Sequence, residues 1–413
     1  MNSLAIWMIS LTSIIAILIR PWKLPEWIWA VGGSALLLLF QLISFSTAGH
    51  AMKEGIDVYL FLLGMMLLSE QARNEGLFDW IAEWANIHAK GSSQRLFILI
   101  YGAGILVTAF LSNDATAVVM TPAVYASVKK ANAKPLPYLF ACAFIANAAS
   151  FLLPISNPAN LVVFSSHMPG VFSWIRMFGL PSIASILTTF FVLWFYFKKS
   201  LQTQLKPPEE KKPSLSDCGK LTAYGLFFVV FVMMTASALE WDLGLPTFLA
   251  SFLIVARIAI RKQEWPKKVL KDIAWGVIPL VAGLFIIVEA MNQAGALKTT
   301  ESFLQTFAPY PGVIGNLIAA FSVGTISNLI NNLPVGLMSG MAVRHHQVSE
   351  GIRNAVLVGV DLGPNLSVTG SLATILWLMV LRREGEKISG FAFFKVGLIA
   401  MPIALAFAVI FIR

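Results

Sequence analysis

Residues 361–374 read DLGPNLSVTGSLAT and lie within an apolar run that extends over about 354–380. A run of that length is long enough for a helix to cross ~30 Å of hydrocarbon, yet its middle holds Gly363, Pro364, Gly370 and several polar side chains. Proline removes a backbone donor and interrupts the helical ladder. The stretch therefore predicts a helix broken at mid-membrane, which is tolerated where the freed backbone lines a cavity inside protein. A second stretch of this kind, NAASFLLPISNPAN at 147–160, interrupts the apolar run 137–165.

Working outward, each broken run follows a pair of apolar segments separated only by a short polar tip. The pairs are 95–111/115–128, with Ser112-Asn113-Asp114 between them, and 311–329/333–343, with Asn331-Asn332 between them. No room is left for a solvated loop. Both pairs predict re-entrant helical hairpins. Upstream, Gly64, Glu70 and Gly76 have the spacing of Gly283, Glu289 and Gly295, an offset of 219 residues. The hairpin tips are offset by 218 and the breaks by 214. A near-constant offset carrying the same order of elements points to internal duplication.

Composition sets the solvent. The 413 residues are 57% hydrophobic and 12% charged, against roughly a quarter charged in a soluble domain, and mean hydropathy is +0.75. The fold class expected is an all-α polytopic membrane protein of two inverted repeats. Each repeat has about five transmembrane crossings plus a re-entrant hairpin and a broken helix. The boundaries are 1–198 for the first repeat, 199–219 for a linker and 220–413 for the second repeat. An odd number of crossings per repeat forces the second to be inverted. Most of the 30 Lys and Arg residues then fall on one side, including the linker residues Lys206, Lys211 and Lys212 and the later Lys268, Arg382 and Lys387. The other side receives few, among them Lys53, Arg344 and Arg413. Positive-inside bias makes the first side cytoplasmic and both termini external. The same distribution reads the net charge of +9 as a topology signal, so no nucleic-acid partner is expected. The first apolar run lacks a basic leader and a small-residue cleavage site and reads as a retained helix. Cys142 and Cys218 are too few for a disulfide framework or a cysteine metal site.

Polar side chains in a bilayer are unfavourable unless they face a cavity or one another. Four places hold such groups: Asn113, Asp114 and Thr116 at the first tip; Ser156, Asn157 and Asn160 at the first break; Asn331 and Asn332 at the second tip; and Asp361, Asn365, Ser367, Thr369, Ser371 and Thr374 around the second break. Inverted repeats would gather them near the midplane as a substrate site. Asn113, Asp114 and Asn331 also suit helix capping. Desolvation favours the neutral form of a carboxyl group, so Asp114 and Asp361, with Glu70 and Glu289 nearer helix ends, are candidates for proton exchange. His345 and His346 read as surface residues of an external loop, and Trp22, Trp27 and Trp29 as interfacial anchors. Gly102 and Gly104 read as close-packing positions. No phosphate-loop motif is present, no cofactor is implied, and the chain reads as a transporter and not an enzyme.

At these residues the sequence resembles a known family. LSNDATAVVMTP, ISNPANLVVF, NNLPVGLMSG and above all DLGPNLSVTGSLATILWLMVL are similar to segments of the bacterial arsenite efflux permease, within the larger ion-transporter superfamily. The resemblance implies export of arsenite, and often antimonite, in exchange for protons across the inner membrane. In some systems it also implies association with a soluble arsenical ATPase. With two cysteines a three-thiolate arsenic site cannot form. The substrate would be handled as neutral As(OH)3, through weak hydrogen bonds to Asn, Ser and Thr that permit release. A sodium/proton antiporter of the same architecture and a passive channel for small neutral solutes are the alternatives. Carboxylate uptake is weaker, because the spans carry no Lys or Arg suited to a dianion.

Overall fold

The computed structural model describes residues 2–164, 168–206, 213–307, 309–310, 312–344, 348–386 and 388–412. Lys211, Lys212, His345, His346, Lys387 and Arg413 lie outside the described residues. All named elements are helical. The first half carries α1 (Asn2–Ile19), α2 (Glu26–Leu39), α3 (Phe45–Glu54), α4 (Ile56–Asn74), α5 (Leu77–His88) and α6 (Ser93–Phe110). A π-helical turn at Ala115–Met120 leads into α7 (Thr121–Lys130), followed by α8 (Leu136–Ala148), α9 (Pro158–Phe164) and α10 (Val171–Tyr196).

The second half has α11 (Asp217–Ala238), α12 (Gly244–Lys262), α13 (Lys267–Asp272), α14 (Val277–Gln293), α15 (Ala296–Gln305) and α16 (Val313–Ile330). It continues with α17 (Asn332–Arg344), α18 (Glu350–Leu362), α19 (Leu372–Arg383) and α20 (Gly390–Ile410). Among the described residues seven helices are long and apolar enough to cross a membrane. Large apolar side chains such as Phe172, Phe227 and Phe231 point outward and are exposed. In water such a surface would aggregate. Against lipid it is the ordinary exterior, and the chain is an all-α, multi-pass membrane protein.

Both apolar runs with polar interiors are interrupted where the sequence predicts. The first splits into α8 and α9, with extended backbone at Leu153 and Asn157. The second splits into α18 and α19, with extended backbone at Ser367 and Ser371. Helix α8 is apolar on every face, and each residue from Pro137 to Ala148 is buried. A helix apolar all round belongs inside a bundle, and α8 packs among α6, α7, α10, α18 and α19. The short helix α9 lies against α17.

The halves contact each other reciprocally. Helix α4 packs on α12, and α14 packs on α2. A methyl group at Gly64 would sit 2.9 Å from the backbone of Phe248, and one at Gly283 would sit 2.8 Å from that of Ala30. Small residues let backbones approach this closely. Gly76 and Gly295, at φ 72° and 97°, each precede the next helix in left-handed conformation. Glycine adopts that conformation without a Cβ clash. Gly104 is a close-packing position, where an added Cβ would meet Ile145 at 2.6 Å. Gly102 is not, because a Cβ added there would meet nothing within 4 Å. It is two residues from Gly104, about 200° around the helix, and so faces away from α8.

Candidate functional site

The first tip is built by local hydrogen bonds. Ser112 Oγ accepts from Ala115 N at 3.1 Å, and Asn113 Oδ1 accepts from Asp114 N at 2.9 Å. Across the tip, the Thr108 and Thr116 hydroxyls meet at 2.8 Å. A π-helical turn follows at once, a feature found often at functional sites. Asp114 has no side-chain hydrogen bond or ion pair to another described residue. At the second tip Asn331 turns the chain at φ 74°, ψ 150°, a region almost reserved for glycine. Its Oδ1 accepts from Leu333 N at 3.2 Å.

At the first break, Asn160 Nδ2 donates toward the carbonyls of Ser150, Leu153 and Pro154 at 2.9, 3.3 and 3.3 Å. The break interrupts the α-helical ladder around these carbonyls, and of the three Leu153 O also accepts from Ser156 N at 3.1 Å. Ser156 Oγ accepts from Leu153 N and donates to Ala109 O, both at 3.2 Å, tying the break to the first hairpin. Asn157 uses both ends of its amide. Its Oδ1 accepts from Ala159 N at 3.0 Å, and its Nδ2 donates to Asp361 Oδ1 at 2.9 Å.

Asp361 is wholly buried. Its other oxygen accepts from Ser150 Oγ at 2.8 Å, and it has no ion-pair partner among the described residues. Beside it, Asn147 Nδ2 donates to Asn365 Oδ1 at 3.0 Å, and Asn365 Nδ2 donates to Phe144 O at 3.0 Å. The second break hangs on Asn328. Its Nδ2 reaches Gly324 O at 2.7 Å and Gly363 O at 2.8 Å, while its Oδ1 accepts from Ser367 N at 3.0 Å and Ser367 Oγ at 2.7 Å. Thr369 Oγ1 donates to Asn328 O at 2.9 Å. Ser371 caps α19 by accepting from Thr374 N at 3.2 Å, and Thr374 Oγ1 donates to Val368 O at 2.8 Å.

Between the tips and breaks lies a narrow cavity of about 20 Å³, room for about one water molecule, lined by Asn113, Asp114, Asn157, Asn332 and Ser371 among apolar residues of α4, α14 and α19. All four predicted places contribute to it. Asn331 lines a neighbouring cavity instead. Thr116, Ser156, Asn160, Asn365, Ser367, Thr369 and Thr374 line neither; they bond within the tips and breaks, with Asn160 Oδ1 left buried without a partner. Asp361 meets the cavity through Asn157.

Glu70 lines a larger adjoining cavity of about 90 Å³, which Asp114 also lines. Its Oε2 lies 2.7 Å from Arg73, which also binds Asp272 at 2.9 Å. Glu289 lines none of these cavities and contacts Asn292 and Gln293 on its own helix. Sequence reading passes over Asn328 and Ser150. The signal in the sequence is that each is a polar residue within an apolar run, Asn328 three residues before the tip residue Asn331 and Ser150 inside the first break at 147–160.

The site has no Lys, Arg or Cys in its lining. It offers amide and hydroxyl groups, which both donate and accept, and one carboxyl group. Such a set suits a small polar solute and a proton better than an anion with several charges.

Comparison with known proteins agrees with this membrane architecture. The chain is 26% identical to the arsenical pump membrane protein of Escherichia coli (strain K12), covering 82% of this chain and 81% of the relative. It is 24% identical to the putative arsenical pump membrane protein of Bacillus subtilis (strain 168), covering 94% of each. The resemblance carried by short segments thus extends over most of the chain. Among solved structures it is similar in fold to the Alcanivorax borkumensis YdaH transporter, with TM-score 0.56, 12% identity and 89% and 86% of the two chains covered. Neisseria gonorrhoeae MtrF, described among antimetabolite efflux pumps, gives TM-score 0.53 at 13% identity, with 86% and 80% covered. The family model described as citrate transporter, CitMHS, matches residues 13–361. The chain belongs to that citrate transporter family and is a membrane transporter of ions or anions.

Proposed function

We propose that this protein exports arsenite as neutral As(OH)3, with antimonite as a second substrate, in exchange for protons across the bacterial cytoplasmic membrane. The observation that carries this reading is the lining of the central cavity: three amides, a hydroxyl and Asp114, with no fixed positive charge and no thiol. Three substrate hydroxyls can trade hydrogen bonds of about 0.5–1.5 kcal/mol net each with such groups, which is weak enough for turnover. Citrate, which the family's description suggests, carries several negative charges. Desolvating them in a cavity without a cation is strongly unfavourable. The relatives described as arsenical pumps point to the same substrate.

Asp114 and Asp361 are the proton carriers in this reading. Asp114 faces the cavity without a side-chain partner, and Asp361 is linked to it through Asn157. Exchange requires that proton and substrate oppose each other's binding. A shared cavity favours that opposition. The halves 1–198 and 220–413 act as inverted repeats joined by a cytoplasmic linker at 199–219, with both termini outside. Support for this comes from the reciprocal pairing of α4 with α12 and α14 with α2, together with the charge bias.

Everted membrane vesicles test the reading. An inside-acid pH gradient should drive arsenite accumulation, and collapsing the gradient should release it. Accumulation indifferent to the gradient, dependence on sodium, or uptake of citrate in place of arsenite would overturn it.

A further inference from the structure

Two cavities adjoin the central one on different faces of α19. The larger passes Leu376 and ends at Glu70. The smaller, about 20 Å³ and so of water size, is lined by Ile375, Glu26 and Asn331. Both share Leu372 with the central cavity. Successive residues on a helix point about 100° apart, so α19 itself forms the wall between them. Both run along α19 from Leu372, one past Leu376 and the other past Ile375. Ser127 Oγ bonds Ala82 O and Tyr125 Oη bonds Glu384 O, which puts α5, the end of α7 and the end of α19 together. Arg20 reaches Met379 near that same end of α19.

Glu26 is a buried acid outside the site described above. It is paired with Arg20. Around it the cavity presents Ile14 from α1, Leu280 from α14, Asn331 at the second tip, Leu333 from α17 and Ile375 from α19. None of these is titratable, so Arg20 is the charged group that faces it among the described residues. The pair is incompletely satisfied: Arg20 Nε is buried without a partner, and one terminal N–H meets the Met379 thioether, a weak acceptor.

Strain marks both ends of this passage. Arg20, Trp22 and Lys23 hold φ of 54°, 55° and 60°, and Asn331 holds φ 74°. Non-glycine residues in such conformations are unfavourable in themselves and cluster at switching sites.

We propose that the passage through Glu26 carries the exchanged proton, apart from an arsenite route past Glu70. This rests on the proton-exchange reading given above. A proton leaving the central cavity is taken up by the Glu26 carboxylate, which frees Arg20. Its loss to the aqueous face restores the pair. The larger cavity remains for the larger solute, so proton and substrate need not pass each other.

The test compares wild type, Glu26→Gln, and the double variant Glu26→Gln/Arg20→Gln, which leaves no unpaired guanidinium. Two readouts are taken in vesicles: arsenite–arsenite exchange without net proton movement, and arsenite accumulation driven by a pH gradient with lumenal pH followed by a dye. Both variants should retain exchange and lose gradient-driven accumulation and proton counterflow by about tenfold or more, within the usual range of coupling. Full gradient-driven accumulation in either folded variant overturns the proposal. Equal loss of exchange and accumulation in both also overturns it, since that marks a structural or substrate role. A wild type that exchanges arsenite but ignores the gradient overturns the proton-exchange reading itself, and is recognised before any variant is made.

Discussion

Asn157 Nδ2, from the break in the first half, donates to Asp361 Oδ1, from the break in the second, at 2.9 Å. Asn157 also lines the central cavity, so one amide touches both the cavity and the buried acid. Removing either partner leaves a buried polar group unmet, at about 1–3 kcal/mol. Asn157→Ala and Asp361→Ala should each lower the melting temperature in detergent. Their effects should also be non-additive, with a coupling of about 0.5–3 kcal/mol. Additive effects would show that the bond does not join the halves.

Asp114 differs from Asp361 because its carboxyl has no side-chain partner among the described residues. Asp114→Asn keeps the side chain's size and breaks no side-chain bond, so it should lower stability less than Asp361→Ala does, while gradient-driven arsenite accumulation in vesicles falls steeply. A large loss of stability with normal transport would assign Asp114 to tip construction instead.

Asn328 holds four groups of the second break and the preceding helix. Asn328→Ala leaves at least Ser367 N–H and Gly363 O without it, each worth about 1–3 kcal/mol when buried and unpaired. The expected result is a marked fall in melting temperature, with activity lost only in proportion to unfolded protein at a given temperature.

Gly283→Ala places a Cβ 2.8 Å from the backbone of Ala30. Overpacking of this kind destabilises by about 1–3 kcal/mol. Gly102→Ala, with open space around it, should be neutral or should stabilise by up to about 1 kcal/mol through helix propensity. Thermal unfolding of the two variants side by side measures the contrast. Equal behaviour would contradict the close approach of α2 and α14.

The membrane class, the two hairpin tips, the two breaks and their order were legible in the sequence. Each depends on a local signal: the length of an apolar run, a proline or glycine within it, or a polar pair where no loop fits. DLGPNLSVTGSLAT could be read as a broken helix because Gly363 and Pro364 interrupt the ladder wherever they are placed. The roles of its polar residues were not legible in that way. Asn157 faces the cavity, while Asn160, three residues on, turns to carbonyls of its own broken helix. Ser367 and Thr369 turn to Asn328, and Ser371 alone of that group reaches the cavity. Which amide serves the backbone and which serves a ligand depends on where the broken ends leave unpaired donors and acceptors. That is fixed only when the two halves are packed. The same packing brings Glu26, an ordinary first-turn acid in the sequence, into a cavity beside Asn331 more than 300 residues away.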